Sequence, residues 1–185
     1  MSAMSPRTVT ELTNALEAGE QVRFLFFWGH RPSPQGIGKG CLSQWWPAPF
    51  TVGGDTFATA EHYMMWHKAT LFGDHEVAAR MLTAENPKQV KDLGRQVKNF
   101  DQAIWEANRY DIVVAGNKHK FAQHEDLRTY LLSTGGQLLV EASPVDRVWG
   151  IGMTADNPHA HDPKKWRGLN LLGFALGDAR TALAT

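Results

Sequence analysis

The chain has 185 residues, of which 43% are hydrophobic, and its nineteen basic residues balance nineteen acidic ones. This length supports one sizeable core, and the composition excludes a mainly disordered, collagen-like or coiled-coil protein. The zero net charge excludes a general electrostatic attraction for nucleic acids or anionic membranes, and the single cysteine, Cys41, has no internal partner for a disulfide.

The apolar stretches are all shorter than the roughly 18 residues that a membrane span requires, and residues 1–20 contain no apolar block typical of a signal peptide. We therefore expect a cytoplasmic protein with no membrane partner. Residues 1–20 are polar and weakly helical at 11–18, which indicates a peripheral N-terminal arm. Residues 21–185 are expected to form a single domain.

The first half of that domain begins with an apolar, aromatic run at residues 22–28, which predicts a buried strand. Residues 30–49 are rich in Gly, Pro and Ser and predict a long loop, a feature that is often functional. The segments Phe50–Val52 and Asp55–Phe57 flank Gly53-Gly54, a sequence typical of a two-residue hairpin turn.

The remaining pattern is mainly helical. Thr59 is a suitable N-cap for a helix that runs to about Phe72 and stops at Gly73. Asn86-Pro87 is typical of a second helix start, and the apolar spacing extends that helix to Phe100. Further helices are predicted at 103–121, 125–132 and 169–183, with a short strand at 138–142. The sum is a helix-dominated α+β domain with a few short strands.

Glu61 and Lys68 are the most informative pair of charged residues. Seven residues apart on a helix, they lie on one face, roughly 10 Å from each other along the axis. Met64 and Met65 lie between them, so both charges are expected in apolar surroundings. Such a carboxylate can act as a general acid or base, and such an amine can attack a carbonyl carbon. The alternative is an ion pair that only ties the helix to the fold.

A basic face is expected on the second helix, where cationic residues follow the helical spacing: Lys88, Lys91, Arg95 and Lys98. Concentrated charge of this kind can hold a phosphate or pyrophosphate, for which Arg95 is the best candidate because it follows Gly94. The alternative is an ordinary solvated face. Two histidine pairs, His62 with His67 and His159 with His161, lack the spacing of a strong zinc site, so we expect no metal and no cofactor.

Six groups of residues carry a resemblance through their order and spacing along the chain. They are Leu42-Ser43-Gln44-Trp45 before Pro49-Phe50, Thr59-Ala60-Glu61-His62-Tyr63 with Lys68, Trp105 before Lys120-Phe121, His124-Glu125-Asp126-Leu127-Arg128, Asp146 with Trp149-Gly150-Ile151-Gly152, and Asn170-Leu171-Leu172-Gly173. Together they resemble the NADAR (YbiA-like) family over residues 24–183. One departure is Ser43-Gln44, where the family often has Ser-Asn, and the loop at 30–41 is longer than in compact bacterial members.

The resemblance implies an N-glycosidase, which hydrolyses the bond between ribose C1 and an amine nitrogen. The implied substrates are phosphoribosylamino-pyrimidine intermediates of riboflavin synthesis or ADP-ribosylated guanine bases, including those in nucleic acids. It also implies a catalytic set of Glu61, Lys68, Trp105 and Asp146. Substrate contacts are expected at Trp28, Gly29, Ser43, Gln44, Arg95, Trp149, Gly150 and Asn170.

The chemistry of that set leaves alternatives open. A carboxylate, Glu61 or Asp146, can stabilise the positive charge that develops at C1 and can activate water. Trp105 can stack on a base or anchor the core. Lys68 can displace the base covalently through a Schiff base or only bind the substrate. A different class of function, a non-catalytic module that binds ADP-ribose or a related nucleotide, would not require Glu61 and Lys68.

Overall fold

The computed structural model describes residues 6–185, which contain seven α-helices, four short β-strands and two single-turn 3₁₀ helices. The helices are Val9–Glu17 (α1), Ala60–Leu71 (α2), His75–Leu82 (α3), Pro87–Gly94 (α4), Gln102–Ala122 (α5), Glu125–Ser133 (α6) and Leu171–Leu183 (α7). The strands are Phe24–Phe27 (β1), Phe50–Val52 (β2), Asp55–Phe57 (β3) and Leu138–Glu141 (β4). The 3₁₀ helices are Lys39–Leu42 and Pro163–Lys165. The predicted helix-dominated α+β class is confirmed.

The chain divides into two compact units, one of residues up to 43 together with 129–185, and one of residues 44–128. Residues 1–5 of the predicted arm lie outside the described residues, and α1 occupies most of the remainder. Thr8 caps α1 by accepting a hydrogen bond from the Glu11 backbone N–H at 3.1 Å, and Leu12 and Ala15 are buried. The division into an arm and a single domain stays a prediction.

In the first unit, the predicted strands form a two-stranded parallel sheet. Strand β1 pairs with β4 in the register Phe24 to Leu138 through Phe27 to Glu141. Two parallel strands must be joined by a crossover connection. Here the connection is the long stretch of chain between Phe27 and Leu138. Val140 is fully buried in a cluster with other apolar side chains, namely Ala142, Ile151, Met153 and Ala160.

In the second unit, β2 and β3 form the predicted antiparallel hairpin, with Phe50 opposite Phe57. Gly53 and Gly54 both have positive φ, 61° and 93°, which is the conformation required by a two-residue turn of this type. The two phenylalanines pack with Tyr63 of α2. Helix α2 in turn packs against α3, α4 and α5, so it lies at the centre of this unit.

Helix α2 begins and ends where the sequence predicts. The Thr59 Oγ1 accepts a hydrogen bond from the His62 backbone N–H, and its hydroxyl contacts His62 Nδ1 at 2.8 Å. At the other end Gly73 has a φ of 71°, a left-handed conformation that favours glycine. The interval fixes two full helical turns between Glu61 and Lys68.

Two sequence predictions are wrong. Helix α3 was not predicted, because its eight residues are too short for a clear period. Helix α4 ends at Gly94 instead of continuing to Phe100, since Arg95 caps it and Asn99 adopts a left-handed φ of 56° that no helix can contain. The turn after α4 changes the direction of the chain, so Phe100 does not share a helical face with Leu93.

Among residues 6–185, every helix is too short or too polar to cross a lipid bilayer.

Candidate active site

Helix α2 carries Glu61 into the interior of the second unit. The Glu61 residue is only 4% exposed, and Met64 and Met65 on the same helix are buried as predicted. Its backbone N–H donates to the carbonyl oxygen of Gln44 at 3.0 Å. Glu61 lies in the first turn of the helix, where the aligned peptide dipoles stabilise a negative charge. This position suits a carboxylate that must act while largely shielded from water.

Lys68, in the last turn of the same helix, is enclosed by aromatic rings. Its Nζ donates to the Gly94 carbonyl oxygen at 2.9 Å and lies 4.4 Å from the ring centroid of Phe100 and 5.8 Å from that of Trp105. Removal from water lowers the pKa of Lys68 from its ordinary value. The structure therefore brings together Lys68 and Trp105, two members of the predicted catalytic set. In this position the Lys68 amine loses its proton more readily than an exposed lysine does.

The close approach between α2 and α4 depends on Gly94. A Cβ at this position would clash with the Sδ of Met65, so a larger residue would require the Met65 side chain to move. Arg95 follows directly, and its exposed guanidinium pairs with Asp92 at 2.7 Å. A basic residue thus stands one position from the group that accepts the Lys68 hydrogen bond.

The other basic residues of the predicted stripe are exposed. Lys88 pairs with Asp92 at 3.0 Å, and Lys98 lies 3.5 Å from the carboxylate of Glu76. Because α4 ends at Gly94, Lys98 does not belong to the same helical face. Of the stripe, only Arg95 is adjacent in sequence to a group that contacts Lys68.

Gln44, the departure from the family pattern, is almost wholly buried and linked to helix α5. Its Oε1 accepts a hydrogen bond at 2.9 Å from Asn117 Nδ2, which also donates to the Val113 carbonyl oxygen at 2.9 Å. Because the Val113 carbonyl oxygen can only accept a hydrogen bond, the atom of Asn117 that faces it must be Nδ2, which fixes the orientation of the Asn117 amide. Nδ2 also donates to Gln44, so the Gln44 atom that faces Asn117 is Oε1 and not Nε2. Gln44 also accepts the Glu61 backbone N–H, so one residue contacts both α2 and α5.

Two buried polar residues, Asn117 and Lys120, are not among the predicted site residues. Both are fully buried on α5, one or two turns from the apolar residues Val113 and Phe121. Asn117 Oδ1 has no hydrogen-bond partner among residues 6–185. The available signal was a pair of polar residues at the spacing of an apolar face, since polar side chains are rarely buried without a specific role.

In the first unit, Asp146 organises the loop that follows β4. Its Oδ1 accepts hydrogen bonds from the backbone N–H groups of Val148 at 2.8 Å and Trp149 at 2.7 Å. Gly150 comes next, where an added Cβ would lie 2.8 Å from the Glu141 carbonyl oxygen. The half-buried carboxylate thus fixes the backbone that presents Trp149, which is itself half-buried.

Asn170 joins that loop to the sheet and to the start of α7. Its side-chain Oδ1 accepts from the Glu141 backbone N–H at 2.9 Å, and its Nδ2 donates to the Leu139 carbonyl oxygen at 3.0 Å. Its backbone N–H donates to the Gly150 carbonyl oxygen at 3.1 Å, and its φ is 52°. The predicted residues Asp146, Trp149, Gly150 and Asn170 therefore form one hydrogen-bonded group.

The other predicted substrate contacts of the first unit lie at the ends of its elements. Trp28 follows β1 and is 58% exposed, the most exposed tryptophan of this set. Gly29 has a φ of 77°, which turns the chain sharply after the strand. Ser43 is half-buried and follows the first 3₁₀ helix. The catalytic and substrate-binding roles assigned to all these residues stay predictions.

Of the four histidines considered as metal ligands, His159 is exposed, and the rings of the other three contact groups of the fold. Both ring nitrogens of His62 contact oxygen atoms, Thr59 Oγ1 at 2.8 Å and the Ala84 carbonyl at 3.0 Å. The ring centroid of His67 lies 4.2 Å from that of Tyr63 with the two planes tilted by 53°, and His161 packs edge-on against Phe26 at 4.9 Å. Across the described part of the chain, no three His, Cys, Asp or Glu residues are grouped as metal ligands.

Comparison with known proteins identifies the family of this chain. The NADAR domain family matches residues 26–184. A relative from Acanthamoeba polyphaga mimivirus, N-glycosidase R617, is 42% identical over 162 residues, covering 85% of this chain and 94% of that protein. N-glycosidase YbiA of Escherichia coli is 30% identical over 136 residues, covering 74% and 76%.

A structure and a plant protein extend this comparison. The NMR structure of the E. coli protein YbiA has a TM-score of 0.68 and 27% identity, covering 89% of this chain and 87% of that one. The riboflavin biosynthesis protein PYRR of maize chloroplasts is 31% identical over 135 residues, which are 69% of this chain and 20% of that protein. The chain therefore belongs to the NADAR family, and it is an enzyme of the hydrolase class that acts on N-glycosyl bonds.

Proposed function

We propose that this enzyme cleaves the bond between ribose C1 and an amine nitrogen in phosphoribosylamino-pyrimidine intermediates of riboflavin synthesis or in ADP-ribosylated guanine bases, free or within nucleic acids. The observation that carries the proposal is the position of the Lys68 amine, which lies 5.8 Å from the ring centroid of Trp105. Lys68 is on α2, the same helix that carries the buried Glu61. The naming of a maize relative for riboflavin biosynthesis supports the pyrimidine substrate. The guanine substrate rests on the family resemblance.

Glu61 is proposed as the carboxylate that carries the reaction. Cleavage of a ribosylamine develops positive charge at C1, and a nearby carboxylate stabilises that charge. Burial strengthens the interaction because the surrounding dielectric constant is low. Glu61 is favoured over Asp146 because it lies on the same helix as Lys68 and is almost wholly buried, whereas Asp146 is only half-buried.

Lys68 is proposed as the nucleophile. A ribosylamine opens when its ring oxygen takes up a proton from Glu61, which leaves an iminium carbon at C1 and a carboxylate at Glu61. The neutral Lys68 amine adds to C1, its surplus proton passes through Glu61 to the departing nitrogen, and the base leaves as a free amine. The resulting Schiff base between Lys68 and C1 adds water, which releases the sugar aldehyde and restores both side chains. No oxidant or reductant is consumed. The lowered pKa of Lys68 supports this route, since only the neutral amine is nucleophilic.

The reaction as proposed needs no metal. The charged and nucleophilic groups that it requires are Glu61 and Lys68, and His62 has both ring nitrogens engaged by oxygen atoms of the fold. Turnover should continue at an unchanged rate in the presence of a chelator. Loss of activity that returns when zinc or magnesium is added would contradict this part of the proposal.

The substrate is tested by separating the products after incubation with two compounds, a phosphoribosylamino-pyrimidine and ADP-ribosylated guanosine. Release of the free amine or base from either compound by the wild-type chain, and not by Glu61→Gln, is the expected result. Release from neither would reject the proposed substrates, although the enzyme class would stand. Release by Glu61→Gln at the wild-type rate would reject the assigned carboxylate.

A further inference from the structure

The first unit contains a cavity that none of the residues assigned to glycosidase chemistry lines. It has a volume of about 150 Å³ and lies among α1, the start of β4 and α7. Most of its walls are apolar. The residues that decide its chemistry are Leu12, Ala15, Leu139, Phe174, Gly177 and Arg180.

Arg180 is the cationic group of this cavity. Its guanidinium is half-buried and donates one hydrogen bond, to Thr134 Oγ1 at 2.7 Å. No carboxylate of residues 6–185 lies within ion-pair distance of it, and the aspartate of the same helix, Asp178, pairs with Arg7 at 2.8 Å. Glu20 also lines the cavity but is exposed and does not pair with Arg180.

A half-buried arginine without an ion-pair partner favours the binding of an anion. A guanidinium carries five N–H donors in a planar fork that matches a carboxylate, and partial burial of its charge is unfavourable without a counter-charge. Burial lowers the pKa of Arg180 from its ordinary value, the physical sign of that cost. A bound anion would satisfy the free donors and offset the cost.

Gly177 provides an independent indication that the space is used. It lies inside α7, one turn before Arg180 on the cavity wall, and no atom beyond its chain neighbours and the adjoining backbone of α7 lies within 4 Å of the position where a Cβ would stand. A glycine inside a helix is less favourable than alanine by about 1 kcal/mol, so an alanine here would fit and would stabilise the helix. The glycine keeps the cavity open at the expense of helix stability.

We propose that this cavity binds a small aliphatic monocarboxylate, with the carboxylate on Arg180 and the hydrocarbon chain against Leu12, Ala15 and Phe174. A single guanidinium neutralises one carboxylate, whereas a phosphate dianion would leave an excess charge in an apolar cavity. The volume admits a chain of a few carbon atoms. The carboxylate is therefore favoured over phosphate.

The test is isothermal titration of the full chain with 4-methylpentanoate, 4-methylpentanol and inorganic phosphate. Wild type should bind the carboxylate at least about tenfold more tightly than the alcohol or phosphate. Arg180→Gln should weaken carboxylate binding by at least about tenfold, and Gly177→Leu should abolish it by filling the space. Ala182→Leu, an exposed position on the same helix, is the matched control and should bind like wild type.

Three results would overturn the proposal. They are no carboxylate binding to wild type, binding that survives in both Arg180→Gln and Gly177→Leu, and phosphate binding as tight as carboxylate binding. Circular dichroism of each variant shows whether it is folded. If Arg180→Gln does not fold, the comparison of acid with alcohol on wild type and the Gly177→Leu variant decide the matter.

Discussion

Lys68 and Asp146 are both half-buried charged residues that the family resemblance assigns to catalysis, but their surroundings differ. The Lys68 ammonium donates a hydrogen bond to the Gly94 carbonyl oxygen and otherwise faces the rings of Phe100 and Trp105. The Asp146 carboxylate accepts two backbone N–H groups. Removal from water lowers the pKa of Lys68 and favours its neutral, reactive form, whereas the Asp146 carboxylate is engaged in holding the backbone of its own loop. Lys68 is thus suited to chemistry and Asp146 to positioning a loop.

The largest effect is expected at the carboxylate that serves the Lys68 region. Glu61→Gln keeps the length and hydrogen-bonding capacity of the side chain but removes its charge and its acid–base function. We expect kcat to fall by at least about a hundredfold with little change in the melting temperature. The control is Glu76→Gln on the exposed surface of α3, which should retain the wild-type rate. A Glu61→Gln rate within a few-fold of wild type would transfer the role to another carboxylate.

Lys68→Arg tests whether the enclosed amine reacts. Arginine keeps the positive charge and can still contact Gly94, but it stays protonated and cannot form a Schiff base, so activity should fall by at least about a hundredfold. Borohydride added to wild type during turnover should reduce the Schiff base and leave a sugar adduct on the peptide that contains Lys68. Mass spectrometry detects the adduct.

Two controls accompany the trapping experiment. Lys91→Arg, on the exposed side of α4, should trap as wild type does. An unmodified Lys68 peptide recovered while turnover is verified would exclude the covalent route and leave attack by water assisted by Glu61. Substantial activity in Lys68→Arg would point to the same conclusion and reduce Lys68 to a binding role.

The contrast between these regions also shows what the sequence could reveal. Helix α2 was predictable because Thr59 and Gly73 mark its ends, and its seven-residue spacing placed Glu61 and Lys68 on one helix. The surroundings of Lys68 were not predictable. Phe100 was assigned to a helical face, and only the end of α4 at Gly94 and the left-handed Asn99 bring its ring to the amine. Local patterns define elements, but contacts between distant segments depend on turns that break the pattern.

The hydrogen-bonded loop of the first unit illustrates the same limit. Motif spacing singled out Asp146 and Asn170, but nothing in the sequence shows that the Asn170 amide bonds to both Leu139 and Glu141. The role of Asn117 was not predictable because its hydrogen-bond partner, Gln44, lies 73 residues away along the chain. A buried amide pair is visible in a sequence only as a polar residue at an apolar position.

Two substitutions at Asp146 test its proposed positioning role. Asp146→Ala removes both hydrogen bonds to Val148 and Trp149 and should lower the free energy of unfolding by about 2–4 kcal/mol. Asp146→Asn keeps an oxygen acceptor, so it should retain most of that stability and a kcat within about tenfold of wild type. Chemical denaturation and steady-state kinetics measure the two quantities. A folded Asp146→Asn variant with a hundredfold loss of kcat would make Asp146 a catalytic carboxylate.

The ring of Phe100 should set the pH dependence of the enzyme. Because the nucleophilic form of Lys68 is neutral and burial lowers its pKa, kcat/KM should rise with pH along a limb below the ordinary range of a lysine. Phe100→Ala admits water to the ammonium, so the pKa rises and the limb moves to higher pH. Ile104→Ala, an exposed apolar residue on α5, should leave the limb in place. If the limb does not move in Phe100→Ala, the pH dependence of kcat/KM does not report the ionisation of Lys68.

The smallest effect is expected at Arg95, which is exposed and already paired with Asp92. We expect it to bind the substrate phosphate equally in the ground and transition states, because it follows the Gly94 carbonyl that contacts Lys68. Arg95→Glu should then raise KM roughly three- to tenfold with little change in kcat. Lys88→Glu reverses the other charge that pairs with Asp92 and should change neither KM nor kcat. This control distinguishes an effect of the position of Arg95 from a general effect of charge reversal on α4.

A substrate without phosphate should be cleaved equally well by wild type and Arg95→Glu. An equal loss on both substrates would mean that Arg95 only stabilises the end of α4, and the phosphate would then have to be bound elsewhere.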